Sequence, residues 1–110
     1  MAYDRVLADR IRGVLAGEPG VVERVMFGGL AFMLNGNMTC GVVGADLMVR
    51  VGPDSYHDAL SRPHVRLMDF THRPARGMVY VEPAGVSDVA ALADWVGQGT
   101  QFARSLPPKS

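Results

Sequence analysis

The chain has 110 residues, 48% apolar and 20% charged, with 11 basic residues against 11 acidic ones. That length suits one domain with a single ordinary core, and the composition excludes both a disordered chain and a membrane-spanning one. Zero formal charge argues against a general electrostatic attraction to nucleic acid or anionic lipid.

One cysteine leaves no internal disulfide, and the N-terminus carries no signal-peptide pattern, so a cytoplasmic protein is expected. Residues 4–16 predict a helix, with Leu7, Ile11, Val14 and Leu15 on one face, Asp4 as N-cap and Gly17 as a stop. Glu18-Pro19-Gly20 is a turn by composition. Residues 21–27 read as extended, and their pattern leaves open a short strand or a mere approach to the glycine pair Gly28-Gly29. Three strands follow at about 29–35, 37–43 and 46–51, and Asn35-Gly36 supplies the positive φ angles of a tight hairpin. Met38, Cys40 and Val42 are expected to share one face of the return strand.

Gly52-Pro53-Asp54 reads as the start of a second helix that must end before Pro63, with Tyr56 and Leu60 facing the core. Residues 65–70 and 78–81 form a second hairpin, with 71–77 as its loop. Ser87 is expected to cap a final helix whose buried stripe runs Val89, Leu92, Val96, Gly99, Ala103 and Leu106, widened by Trp95 and Phe102. Gly97 and Gly99 imply either a kink or a very close approach to the sheet, and 107–110 is a frayed tail. The order α-β-β-β-α-β-β-α gives a two-layer α+β fold over a single domain, 1–110: a mainly antiparallel sheet with helices packed on one side.

Candidate chemistry is sparse. Cys40 lies mid-strand and reads as a small core residue, since the histidines at 57, 64 and 72 fall on other elements. The spacings match no metal-ligand motif, and the glycines match no phosphate-binding loop, so no cofactor or metal is expected. Asp54 and Asp58, four apart with His57 between them, read as a solvated helix face before an acid/base pair. The segment Arg62–Arg76 holds four arginines and two histidines against Asp69 alone. Within it Arg73-Pro74-Ala75-Arg76-Gly77 could present two guanidinium groups at a hairpin tip to a carboxylate or phosphate, which makes Arg73 and Arg76 anion-binding candidates. Met26, Met33, Met38, Met48 and Met68 lie in or near strands and read as packing, with a contact surface on the outer sheet face as the alternative.

With Met26-Phe27-Gly28-Gly29, then Phe32, Gly36-Asn37-Met38 and Leu47-Met48-Val49-Arg50-Val51, the chain resembles the TfoX/Sxy N-terminal domain family, as a stand-alone domain without the C-terminal one. The resemblance implies a two-layer fold similar to type III secretion chaperones. It marks Met26, Phe27, Gly28 and Gly29 as the family element, with no catalytic residue attached. Members of the family known by function are regulators of DNA-uptake competence that act with the cyclic-AMP receptor protein at promoters.

Three functions compete on these grounds. The first is a small regulatory or adaptor domain that acts by protein–protein interaction, with a homodimer among its options. The second is a nucleic-acid or anion binder using Arg62–Arg76; the third is an enzyme. Neutral charge weighs against the second and the lack of a catalytic constellation against the third, so a non-catalytic adaptor with an unidentified protein partner is expected.

Overall fold

The computed structural model describes residues 3–26, 28–70 and 73–108, with only the backbone described at 69, 70 and 73–76. Helix α1 (Arg5–Val14) begins where the Asp4 carboxylate accepts from the N–H groups of Val6 and Leu7, which fixes its first turn. Six strands follow, with α2 between the fourth and fifth. They are β1 (Val21–Met26), β2 (Gly29–Leu34), β3 (Asn37–Val43), β4 (Asp46–Arg50), β5 (Val65–Phe70) and β6 (Arg73–Val81); α2 is Tyr56–Leu60. A 3-10 turn (Pro83–Val86) leads into α3 (Val89–Arg104). The strands form one antiparallel sheet in the order β1-β2-β3-β4-β6-β5, so the fold is the two-layer α+β arrangement with a sixth strand, β1, in the stretch whose pattern left the choice open.

All three helices pack on one face. Leu7 and Ile11 from α1 with Leu15 just after it, Tyr56 and Ala59 from α2, and Leu92, Trp95 and Val96 from α3 bury against Leu30, Phe32, Cys40, Val42, Leu47, Val49, Val79 and Val81. On the other face Ala31, Met33, Met38, Met48 and Met68 form a second cluster, with Met26, Val43, Met78 and Tyr80 packed against it. Every described methionine thus lies on the face that carries no helix. The five cluster residues are nonetheless only 0–9% exposed, so they are packing and not the exposed contact surface that was the alternative.

Local chemistry explains where the elements depart from expectation. Asn35 (φ 52°) and Gly36 (φ 83°) both take the left-handed region, as the tight β2–β3 turn demands. Beyond that turn Met33 pairs with Met38 but Phe32 with Cys40, so Thr39 is an extra residue in β3, and its hydroxyl donates to the Phe32 carbonyl (3.1 Å). This bulge reverses the alternation: Met38 faces the methionine cluster while Cys40 and Val42 face the helices, and the three do not share a face. Strand β6 runs through 73–77, so Arg73, Pro74 and Arg76 belong to a strand and not to a loop. Its pairing with β4 stops at Arg50↔Met78, which leaves Pro74 with no β4 ladder to interrupt.

The final helix is capped by Asp88, whose carboxylate accepts from Ala91 N–H (2.7 Å), and not by Ser87, whose own backbone is helical and closes the preceding turn. Val89 is 75% exposed, so the buried stripe of α3 begins at Leu92, while Val86 of the preceding turn is buried. Gly99 resolves the choice between kink and close approach: α3 continues through it, and a Cβ there would stand 2.3 Å from the Thr39 carbonyl oxygen. Asp54 precedes α2, which starts after Ser55, so Asp54 and Asp58 do not share a helix face.

Candidate functional site

Of the element Met26, Phe27, Gly28 and Gly29, the described residues Met26, Gly28 and Gly29 sit where β1 turns into β2, at one edge of the sheet. Met26 is half-buried against the methionine cluster, and Phe27 lies outside the described residues. Gly28 has φ +73°, a left-handed conformation that suits glycine. Gly29 is required by space, since a Cβ on it would come within 2.0 Å of the Val42 carbonyl oxygen. The pair therefore lets the chain reverse tightly and press β2 onto β3, which is a structural reason for the element.

The strand that runs into this turn, β1, has its four central residues exposed. It pairs with β2 in one unbroken register from Val21↔Leu34 to Met26↔Gly29, and among the described residues its other side has no strand neighbour. Val22 and Val25 are 60% and 77% exposed. One ion pair anchors it to α1: Arg12 grips both oxygens of Glu23 (2.6 and 2.8 Å) and also bonds Asp9 (2.5 Å). The forked hydrogen bond from Arg12 holds the Glu23 carboxyl below its ordinary value, and the two carboxylates raise the arginine. Neither this clamp nor the edge position of β1 was read from the sequence. The signal lay in Val21–Met26, where each face mixes valine with a charged residue, as suits a strand at the margin of a core.

The other edge, β5, is shaped differently. Its pairing with β6 shifts register between Leu67 and Asp69, and it starts after His64, a non-glycine residue at φ 65°. Arg66 on this strand bonds Asp46 and Glu82 (3.1 Å to the latter) and lies over the Tyr80 ring at 5.1 Å. Burial pushes the Tyr80 phenol up in pKa, against the opposing pull of Arg66.

The arginine segment does not assemble as one anion site. Arg62 is held by Asp94 (3.2 Å) and stacks on Trp95 at 3.8 Å, and Arg66 is taken up as described. Two of its four cations are therefore already paired with carboxylates. The side chains of Arg73 and Arg76 lie outside the described residues. Cys40 is fully buried, and burial pushes its thiol up to about 12, only partly offset by a hydrogen bond from Thr39 (3.4 Å). A thiolate is thus strongly disfavoured at neutral pH. His57 and Asp58 are exposed on α2, and no helix among the described residues is long and apolar enough to cross a membrane.

Residues 14–103 match the family model described as the TfoX N-terminal domain, and the match spans the sheet and most of α3. A search of curated proteins returned no significant match.

Proposed function

We propose that this chain, which belongs to the TfoX N-terminal domain family, is a non-catalytic regulatory or adaptor domain of the cytoplasm that acts by accepting a partner protein's extended strand at the edge of its sheet. The observation that carries the reading is β1 itself: six residues in a single register, free of proline and bulge, with two exposed valines and a row of backbone donors and acceptors facing outward. Natural edge strands are usually shortened, bulged, charged or covered; of these devices β1 carries only the charges of Glu23 and Arg24, the first already paired with Arg12, so its outward backbone remains a template for strand addition. The buried, proton-retaining thiol of Cys40 favours binding over nucleophilic catalysis. The pairing of Arg62 and Arg66 weighs against the anion-binding alternative, which keeps two arginines and hence a logarithmic salt slope on duplex DNA of only about −1.8.

A photo-crosslinking residue at position 25, in native cells, tests the reading, with position 54 as an exposed control off the edge. Protein adducts at 25 and none at 54 are expected. If position 25 yields no protein adduct, the edge is not a binding surface and the reading fails.

A further inference from the structure

We propose that the strand added to β1 is β1 of a second copy of this chain, antiparallel, with Glu23 on the two-fold axis. The proposal rests on the strand-addition reading and names its occupant.

Backbone geometry selects the register. The Gly20 carbonyl accepts from Asn35 N–H (3.4 Å), and Gly20 opposite Asn35 continues the register Val21↔Leu34. Only alternate residues of an antiparallel strand bond to a given neighbour. Gly20, Val22, Arg24 and Met26 therefore bond to β2, while Val21, Glu23 and Val25 aim their N–H and C=O groups away from the sheet. In a two-fold pair each outward residue must meet an outward residue of the other copy. Centring the axis on Glu23 satisfies all three: Val21 meets Val25, Glu23 meets its own copy, and Val25 meets Val21. Centring on Val22 or Arg24 satisfies only two, and centring on Val21 or Val25 satisfies one within the strand.

Side chains agree with that register. On the helix side, Val25 (77% exposed) would close against Val21, which already packs at the rim of the core. On the opposite face Val22 would lie against the aliphatic stem of Arg24, in the non-bonded positions where side chains stand closer. Two carboxylates on the axis would repel if bare. Each Glu23, however, is already gripped at both oxygens by Arg12, so the axis carries carboxylates and guanidinium groups in alternation. Centring on Arg24 would instead set two guanidinium groups opposite each other. The β5 edge has no equivalent symmetric solution, because its register shifts midway.

Light scattering after gel filtration of the full chain is expected to give twice 11.8 kDa at tens of micromolar. Glu23→Cys tests the axis. Its two Cα atoms would stand ~5.5 Å apart, within disulfide reach, so mild oxidation is expected to lock a covalent dimer. Val22→Cys, at a more exposed position but offset from its own copy, is expected to stay uncrosslinked. Val25→Pro removes an outward N–H without touching the β2 ladder, and is expected to weaken the dimer at least tenfold at unchanged circular dichroism. A monomer of 11.8 kDa up to hundreds of micromolar overturns the proposal, as does a dimer that Glu23→Cys fails to lock. A monomer whose position-25 adduct is a different protein overturns the second copy and leaves strand addition standing; the absence of any adduct fells both.

Discussion

The two faces of the sheet are buried by different means. Toward the helices the core is built from Leu, Ile, Val, Phe and Trp, locked by α1, α2 and α3; on the far face methionines from β1 to β6 pack with Ala31, Val43 and Tyr80 and no helix. Branched and aromatic side chains have few rotamers and fit one shape, whereas methionine is unbranched and adapts to irregular space. The helix-side core should therefore tolerate substitution poorly and the methionine side should tolerate it well. The difference teaches that one sheet can carry a rigid face that specifies the fold and a compliant face that merely fills.

Substitutions on the two sides can break that comparison. Phe32→Ala, at a fully buried position under the helices, is expected to cost about 3–5 kcal/mol in urea unfolding. Gly99→Ala is expected to destabilise by roughly 1–3 kcal/mol, since its Cβ would meet the Thr39 carbonyl and push α3 off β3. Gly97→Ala has open space around the new Cβ and should stabilise by about 0.5–1 kcal/mol, so the two glycines, two residues apart, are expected to show opposite signs. Met48→Leu, equally buried but on the methionine face, should cost less than about 1.5 kcal/mol. Should Met48→Leu prove as damaging as Phe32→Ala, the far face is as rigid as the near one.

The smallest effect concerns pH. Glu23 has its native pKa lowered, chiefly by the hydrogen bond from Arg12, so its contribution is present above the unfolded value of 4.5 and is lost as pH falls through the lower native one. Stability of the wild type should therefore drop more than that of Glu23→Gln between pH 5 and 2. Identical acid profiles would show that the clamp contributes nothing.

Much of the fold was legible in the sequence because local rules and global layout agree. Asp4 as a cap, Asn35-Gly36 as a turn and the stripe Leu92, Val96, Gly99 and Ala103 each took the expected role. Where the reading failed, a tertiary pairing decided the matter. The bulge at Thr39 depends on how β2 and β3 meet, and strict alternation within β3 alone cannot reveal it. The stretch 73–77 looked like a loop because proline and glycine punctuate loops, yet it pairs with β5 beyond the end of β4. The motif at 26–29 was visible as residues, but its reason, the contact of Gly29 with Val42 across two strands, was not. Which strand lies at an edge is likewise a property of the assembled sheet.

The strand order also implies a sequence of events during folding. Strands β1 to β4 follow one another as a meander, and β5 and β6 form their own hairpin; among the described residues only the β4–β6 ladder joins strands that are not neighbours in sequence. Closing the 27 residues between Arg50 and Met78, against the two between Leu34 and Asn37, costs about 2 kcal/mol more in chain entropy. That seam should therefore zip after the hairpins on either side have formed. Helix α3 then packs back across β2, β3 and β4, so the last helix made closes over the first strands made.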